Sequence, residues 1–282
     1  MCERGRGAGD WLDKLCRAAQ VRVEDGYYEV KEGGSFPGGR KKFSERLSRL
    51  DSDSFPAVVA EVKPRSPSRG DLLSERARRE GLEWLAGRYE EGGAQGLSVL
   101  TDPDYFGGSL ENLGLVAGGD LPVLMKDFVL APVQLQACAA WGGDAVLLIK
   151  RSFDRDYSYF SLREAIEAAH RLGLETLLEV YSEREYRAAL RTEADMIGIN
   201  NRDLRSLRID LTRTAHILED NERDRPVWTL SGVRGRKELK FLARTSVEAV
   251  LIGSCLASAS DPADKLISLR GDLEDELSKR RA

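Results

Sequence analysis

The chain has 282 residues, of which 41% are hydrophobic, and its formal net charge at pH 7 is −4. This composition is that of a globular protein with a large core, because disordered chains are poorer in apolar residues and carry more net charge for their length. There is no basic excess that would point to a nucleic acid, and no apolar run of the length needed to span a membrane.

The four cysteines lie far apart and include no Cys-x-x-Cys pair; they are Cys2, Cys16, Cys138 and Cys255. Such spacing fits neither a disulfide framework nor a zinc site, and it suits a reducing compartment. The charged N-terminal residues 1–10 lack the apolar segment of a secretory signal. We therefore expect a cytoplasmic protein that binds neither membranes nor nucleic acids.

Residues 1–56 precede the first predicted strand and are expected to form a helical extension to a single catalytic domain of residues 57–282. Apolar residues recur at helical spacing over Trp11–Val21 and again over Phe43–Leu50, which predicts two amphipathic helices. The glycine-rich stretch Gly26–Gly39 between them predicts a loop. The residues alone indicate that this extension packs against the larger domain.

From Ala57 onwards, short apolar segments alternate with helical patterns, and eight β/α units over roughly 210 residues are typical of a (β/α)₈ TIM barrel. A doubly wound sheet is the alternative, but prolines and serines follow the first strand instead of a glycine-rich fingerprint. The predicted strands are Val58–Val62, Leu97–Leu100, Pro122–Lys126, Ala145–Ile149, Glu175–Val180, Met196–Ile199, Val227–Leu230 and Ala249–Ile252. The predicted helices are Ser74–Glu91, Leu110–Val116, Pro132–Trp141, Tyr159–Leu172, Ser182–Leu190, Leu211–Glu219, Arg236–Ala243 and one beginning at Pro262.

The end of the first strand is the most informative stretch, A-V-V-A-E-V-K-P-R-S-P-S-R-G. Alternate side chains of a strand share one face, so Val59, Glu61 and Lys63 point the same way. If that face is a barrel interior, a carboxylate and an ammonium group project into one cavity; a solvated strand end is the other interpretation. The turn that follows, which includes Ser66, offers N–H and hydroxyl donors to an anion.

In such a barrel the active site lies at the C-terminal ends of the strands. Lys126 ends the third strand and Glu179 lies near the end of the fifth, and the two could act as acid and base. Each could also be an ion-pair partner at rest, Lys126 with Asp127 or Glu61. No metal site is predicted, since His170 and His216 fall in helices away from the strand ends.

Two Gly/Ser turns, Ser231–Gly232 and Gly253–Ser254, end the seventh and eighth strands, where barrels commonly bind phosphate through backbone N–H groups. Glycine also simply permits a tight turn, so this alternative stays open. Phe106, beside two glycines, and Phe128 could form an apolar slot for a flat ring, or a plain hydrophobic plug.

These segments together resemble the indole-3-glycerol phosphate synthase family of tryptophan biosynthesis. The motif E-V-K-P-R-S-P-S-R-G is followed in order by L-S-V-L-T-D-P-D-Y-F-G-G-S, P-V-L-M-K-D-F, D-A-V-L-L-I, L-L-E-V, I-G-I-N-N-R-D-L, L-S-G-V and V-L-I-G-S. The resemblance runs from about Ala57 to about Leu269. It implies closure of the indole ring from 1-(2-carboxyphenylamino)-1-deoxyribulose 5-phosphate, with loss of carbon dioxide and water.

The resemblance also implies roles for individual residues. Lys126 matches the general acid for ring closure, Lys63 the lysine that pairs with the substrate carboxylate, and Arg202 an arginine beside the anthranilate ring. Further matching active-site positions are Glu61, Glu179, Asn200 and Ser231. The N-terminal extension is expected over the barrel mouth or bottom. No cofactor and no metal are implied, and an association with other tryptophan-pathway enzymes is left open.

One position departs from the family pattern. The family commonly reads E-S-G at the end of the seventh strand, where this chain has Leu230, Ser231 and Gly232, so one site carboxylate is missing. A barrel that binds a phosphorylated ligand without turnover is therefore an alternative. A sugar-phosphate isomerase is another, but it would rely on a Cys/Asp or Asp/Asp pair at strand ends, and no such pair is evident.

Overall fold

The computed structural model describes residues 10–30, 38–50, 56–242, 244–245 and 247–281, with side chains as far as residue 271. Eight parallel strands close into a barrel in which each strand pairs with its neighbour in the chain and the last pairs with the first. The strands are Ala57–Val62 (β1), Gly96–Leu100 (β2), Val123–Lys126 (β3), Ala145–Ile149 (β4), Glu175–Val180 (β5), Met196–Asn200 (β6), Val227–Leu230 (β7) and Ala249–Ile252 (β8). The predicted TIM barrel is confirmed, and closure excludes the doubly wound sheet.

Helices follow the strands and cover the barrel. They span Trp11–Glu24, Phe43–Ser48, Glu75–Glu80, Leu82–Glu91, Pro103–Phe106, Leu110–Ala117, Pro132–Ala140, Lys150–Asp154, Leu162–Arg171, Glu183–Ala189, Thr212–Glu219, Arg236–Leu242, Ser254–Ala257 and Pro262–Arg281. None of these helices, in the part of the chain that the structure describes, has the length and apolar character needed to cross a lipid bilayer.

Most predicted helices are confirmed with shifted ends, but one prediction was wrong. The segment Ser74–Glu91 is not a single helix, because Gly81 has a φ of +92° and divides it into two. Three helices of four or five residues and a two-residue antiparallel ladder between Arg65–Ser66 and Gly70–Asp71 were not predicted. Elements this short carry no periodicity to detect. Of the predicted loop, residues 31–37 lie outside the described part of the chain, as does Cys2.

Both faces of the barrel strands are buried, which explains their nearly continuous apolar sequences. In β1, Val58, Ala60 and Val62 pack in the outer core between sheet and helices. Val59 packs in the separate cluster that fills the barrel interior. The face predicted for Val59, Glu61 and Lys63 is therefore the inner one.

The helix Phe43–Ser48 closes the N-terminal end of the barrel. Phe43 is completely buried, and its ring meets Trp228 edge-on with centroids 5.0 Å apart. Gly96 at the start of β2 leaves room for this ring, since a Cβ there would overlap it. Glu175 at the start of β5 accepts a hydrogen bond from the Phe43 backbone N–H over 2.6 Å. The carboxylate thus satisfies a backbone donor that the helix start leaves unpaired.

The helix Trp11–Glu24 covers the opposite end, the barrel mouth. Leu12, Leu15 and Cys16 are buried in the same inner cluster as Phe128. The Leu12 backbone N–H also donates to the carbonyl of Leu204, in the loop after β6, over 2.9 Å. The two N-terminal helices therefore close opposite ends of the barrel.

We expect Phe43→Ala to lower the free energy of unfolding by about 3–5 kcal/mol, because it leaves a cavity under the barrel that the rigid strand ends cannot fill. Urea unfolding followed by both tryptophan fluorescence and circular dichroism measures the change. Arg49→Ala is the control, since the Arg49 side chain is 79% exposed. An unchanged unfolding midpoint for Phe43→Ala would contradict the interpretation of Phe43 as part of the core.

Candidate active site

A cavity of about 800 Å³ opens at the C-terminal ends of the strands. All the residues predicted from the sequence to act in catalysis or substrate binding line it. They are Glu61, Lys63, Ser66, Phe106, Lys126, Phe128, Glu179, Asn200, Arg202, Ser231, Gly232, Gly253 and Ser254. Barrel closure brings them together from the ends of seven strands and the loops that follow, because parallel strands end at the same rim.

Glu61 and Lys63 form an ion pair at the end of β1. Glu61 is only 3% exposed. Burial alone would raise the pKa of its carboxyl, but the charges of Lys63, Lys126 and Arg202 outweigh burial and lower it. Gly253 makes the arrangement possible, because a Cβ there would overlap the Glu61 carboxylate and lie 3.0 Å from Lys63 Nζ. The charged form of Glu61 is therefore favoured, directly beneath the β8 turn.

Glu179 is the second buried carboxyl group of the cavity, and its surroundings have the opposite effect. Asn200 Nδ2 donates a hydrogen bond to Glu179 Oε1 over 2.8 Å. Burial raises the pKa of Glu179, and it prevails over the opposing effects of the Lys126 charge and the Asn200 hydrogen bond. Glu179 therefore takes up a proton at a higher pH than Glu61 does, which suits an acid–base group.

Lys126 lies at the end of β3, and its charge acts on both of these carboxyl groups. The suggested ion pair between Lys126 and Asp127 is not formed. In the structure, Asp127 accepts hydrogen bonds from Thr101 Oγ1 over 2.6 Å, Tyr28 Oη over 2.8 Å and Arg22 Nη2 over 3.2 Å. The Asp127 carboxylate, which immediately follows β3, is therefore engaged by these three partners, while Lys126 contributes its charge to the cavity.

Arg202 is held in a fixed position in the loop after β6. Its backbone N–H donates to Asn200 Oδ1 over 2.9 Å, its Nη1 donates to the carbonyl of Leu207 over 3.0 Å, and it pairs with Ile209 in an antiparallel bridge. Burial lowers the pKa of the Arg202 guanidinium, with the Glu61 charge opposing. A guanidinium remains charged under these conditions, so Arg202 adds a directed cation to the cavity.

The turns after β7 and β8 differ in backbone conformation, and only the β7 turn has positive φ values. Ser231 and Gly232 have φ values of +65° and +105°, and a Cβ at Gly232 would come within 2.6 Å of Leu211. Gly253 immediately precedes the short helix Ser254–Ala257. Successive backbone N–H groups in such turns form concave sites for anions.

Ser66, Arg69 and Lys265 also line this end of the cavity. Ser66 is 8% exposed, and its hydroxyl has no hydrogen-bond partner among the described residues. Arg69 and Lys265 were missed from the sequence. Arg69 stands inside the first-strand motif and could have been noticed there, whereas Lys265 is in the last helix and only the fold brings it to the mouth.

The other side of the cavity is apolar. Phe106 and Phe128 line it together with Ile149 and Leu230. Leu230 is 1% exposed and packs on Gly198 of β6, where an added Cβ would be 2.8 Å from Leu230 Cδ1. The missing carboxylate is thus replaced by a tightly packed apolar wall, and no charge is left unpaired by the change.

No group of three or more histidine, cysteine, aspartate and glutamate side chains is arranged to hold a metal ion in the described part of the chain. His170 instead makes a 2.9 Å contact with Asp195 on the outer surface.

Residues 13–269 match the sequence profile of the indole-3-glycerol phosphate synthase family. The chain belongs to this family. It is 36% identical over 263 residues to the indole-3-glycerol phosphate synthase of Methanopyrus kandleri, covering 92% of this chain and 97% of the relative. It is 40% identical over 216 residues to indole-3-glycerol phosphate synthase 2 of Streptomyces coelicolor, covering 76% and 81%. The resemblance predicted from the sequence is confirmed.

Solved structures of low identity show the fold alone. (S)-3-O-geranylgeranylglyceryl phosphate synthase from Thermoplasma acidophilum has a TM-score of 0.59 at 12% identity, covering 83% of this chain and 99% of that chain. Tryptophan synthase subunit alpha from Legionella pneumophila has a TM-score of 0.57 at 12% identity, covering 82% and 97%. Both agree with the closed barrel.

Enzymes of the indole-3-glycerol phosphate synthase family are carboxy-lyases of tryptophan biosynthesis, and this chain is one of them. The reaction converts 1-(2-carboxyphenylamino)-1-deoxyribulose 5-phosphate into indole-3-glycerol phosphate, carbon dioxide and water. The substrate is thus a small phosphorylated molecule with a flat ring and a carboxylate. The isomerase alternative finds no support among these relatives.

We expect Gly253→Val to lower kcat/KM by about a hundredfold or more, because displacement of catalytic groups by about 1 Å can cost that much. The new side chain would push into the Glu61–Lys63 pair as well as narrow the β8 turn. Steady-state kinetics measures both effects, as a fall in kcat and a rise in KM. The control is Gly118→Val, where a Cβ would meet open space; parent-like kinetics for Gly253→Val would contradict the role of this glycine.

Proposed function

We propose that the cavity closes the indole ring with Lys126 as general acid and Glu179 as the main proton-exchanging carboxyl group. The observation that carries this proposal is that Lys126, Glu61 and Glu179 line one cavity and that the Lys126 charge acts on both carboxyl groups, of which Glu61 has a lowered pKa and Glu179 a raised one. An ammonium group together with two carboxyl groups of different basicity provides both a proton donor and a proton acceptor within one cavity.

In the first step the ring carbon that bears the carboxylate attacks the ribulose carbonyl carbon. The carbonyl oxygen gains negative charge as the new bond forms, and Lys126 donates a proton to it. Lys63 and Arg202 stabilise the substrate carboxylate until carbon dioxide leaves and the ring regains aromaticity. The Glu61–Lys63 ion pair supports this role, because it keeps the ammonium group of Lys63 oriented before the substrate arrives.

In the second step the new hydroxyl group leaves as water. This requires a proton on the departing oxygen and removal of a proton from the adjacent carbon. Glu179 exchanges one of these protons and Lys63 assists with the other. The hydrogen bond from Asn200 keeps the Glu179 carboxyl in a single orientation for the transfer, and Ser231 completes the polar wall of the cavity near it.

The two halves of the substrate are proposed to bind at opposite sides of the cavity. The flat ring lies against Phe106 and Phe128, and the phosphate accepts hydrogen bonds from the backbone at Gly232 and Gly253–Ser254. The unpartnered Ser66 hydroxyl supports this assignment, since a buried polar group normally has a partner. The positive charges of Arg69 and Lys265 on the same side favour a dianion.

We infer a cytoplasmic location, because a biosynthetic enzyme of this family acts on a phosphorylated metabolite. Association with other tryptophan-pathway enzymes stays a prediction. Purification from cell extract at low ionic strength, followed by size-exclusion chromatography with assays of the neighbouring activities, would reveal such a complex.

We expect Lys126→Ala to lower kcat by about 10²–10⁴-fold, the usual range for loss of a general acid, while the substrate still binds. Growth of indole fluorescence from 1-(2-carboxyphenylamino)-1-deoxyribulose 5-phosphate measures turnover, and inorganic phosphate should inhibit the parent competitively. Lys237→Ala, an exposed lysine outside the cavity, is the control. A kcat for Lys126→Ala within tenfold of the parent value would contradict the assignment of Lys126 as the general acid.

A second candidate function, ligand binding without turnover, rests on Leu230. We propose instead that the enzyme is active, because every proton-transfer role has an occupant and Leu230 leaves no buried charge unpaired. We expect Leu230→Glu to change kcat/KM by no more than about a hundredfold in either direction, the size of an orienting effect. An inert parent that gains activity with Leu230→Glu in the fluorescence assay would favour the binding-only function.

A further inference from the structure

The loop after β2 carries Phe106 and is held by the N-terminal helix and the turn that follows it. Tyr27 bridges both ends of this loop: its hydroxyl donates to the Thr101 carbonyl over 3.1 Å and accepts from the Leu110 backbone N–H over 3.2 Å. At the other end of the helix, Trp11 meets Tyr105 edge-on at 6.1 Å. The loop is thus fastened to the N-terminal segment at several points.

Arg22 makes the strongest of these contacts. It is 6% exposed and forms ion pairs with Asp102 over 2.9 Å and with Asp104 over 2.5 Å. Asp102 in turn begins the helix Pro103–Phe106, and its Oδ1 accepts hydrogen bonds from the backbone N–H groups of Tyr105, over 2.7 Å, and Phe106, over 3.3 Å. One buried guanidinium is therefore connected to the backbone of Phe106 through a single carboxylate.

The chain beyond Phe106 has little freedom to compensate. Gly107 ends the short helix with a φ of +62°, and a Cβ on Gly108 would overlap the backbone of Leu100. The loop returns to the barrel along a narrow path that only glycine permits. A shift of Asp102 and Asp104 at the start of the loop would therefore move Phe106 as well.

We propose that Arg22 is a positioning residue that holds Phe106 in the aromatic half of the cavity through Asp102 and Asp104. The ligand feature it serves is the planar carboxyphenyl ring, so the inference rests on the proposed function for the meaning of that half of the cavity. Arg22 also pairs with Asp127, the residue that follows Lys126. A loop that is already ordered loses less conformational entropy when the ring binds, so a pre-formed aromatic wall favours ring binding.

A second set of ion pairs holds the same helix, and it provides a matched control. Arg155 pairs with Asp10 and Asp13 at the start of the helix, each over 2.9 Å. Arg155→Met weakens the attachment of the helix without contacting the Phe106 loop. A purely structural role of Arg22 would make the two substitutions equivalent, whereas a positioning role would not.

The test measures the binding of two probes that report on opposite ends of the cavity. The ring probe is 2-aminobenzoate, followed by its fluorescence, and the phosphate probe is inorganic phosphate, followed by calorimetry. We expect Arg22→Met to raise the Kd for 2-aminobenzoate by about tenfold or more, near 1.4 kcal/mol, and the Kd for phosphate by no more than about twofold. Arg155→Met should change neither Kd by more than about twofold.

Asp104→Asn keeps the proposal testable if Arg22→Met fails to fold. The Asp104 side chain is half exposed, and Arg22 keeps its two buried partners in this variant. We expect a rise of about threefold in the Kd for 2-aminobenzoate alone, because one of the two loop carboxylates that pair with Arg22 loses its charge.

Several outcomes would overturn the proposal. The first is an equal rise in the Kd of both probes in Arg22→Met, and the second is the same loss of 2-aminobenzoate binding in Arg155→Met. The third is parent-like binding of 2-aminobenzoate in both Arg22→Met and Asp104→Asn. The fourth is a parent that binds phosphate but not 2-aminobenzoate. A parent that binds both probes as expected but does not turn over the substrate would refute the proposed reaction and leave the role of Arg22 standing. Binding and turnover therefore separate the two claims.

Discussion

Glu61 is a carboxylate with almost no access to water, and only the cations around it allow it to stay charged. Burial of an unpaired carboxylate costs several kcal/mol, and the charges of Lys63, Lys126 and Arg202 all oppose that cost. These cations come from the ends of β1 and β3 and from the loop after β6, so the interaction links three parts of the barrel mouth. It also explains why Gly253 stands at the end of β8, since any larger residue would separate the pair beneath it.

The two buried carboxyl groups differ because their partners differ. Glu61 has a lysine in direct contact, whereas Glu179 has a hydrogen bond from the neutral amide of Asn200 and feels the charges of Lys126 and Arg151 without an ion-pair contact. Leu230 preserves this difference between Glu61 and Glu179, because a third acid at the end of β7 would interact with the same cations. Its place on Gly198 shows that the apolar wall is packed as well as the rest of the core.

The N-terminal segment takes part in both the stability of the barrel and the shape of its site. Phe43 fills the lower end of the barrel, where a gap in the core would be costly. Arg22 reaches acids that follow β2 and β3 at the upper end. A long-range ion pair of this kind gains its strength from burial, because water cannot screen it. The extension therefore contributes to the active site without supplying a reacting group.

The sequence by itself determined the eight strands, the shared face of Glu61 and Lys63, and the family, because strand periodicity is a local property that a pattern records. That this face is the barrel interior was decided by the structure. It did not predict the break at Gly81, since one positive φ leaves the apolar spacing unchanged. It suggested Asp127 as a partner for Lys126, whereas in the structure Asp127 is bonded to Thr101, Tyr28 and Arg22. Only the tertiary structure decided which charges meet: the carboxylate partners of Arg22 lie about 80 to 105 residues away along the chain, and barrel closure, which no local pattern encodes, sets their distances.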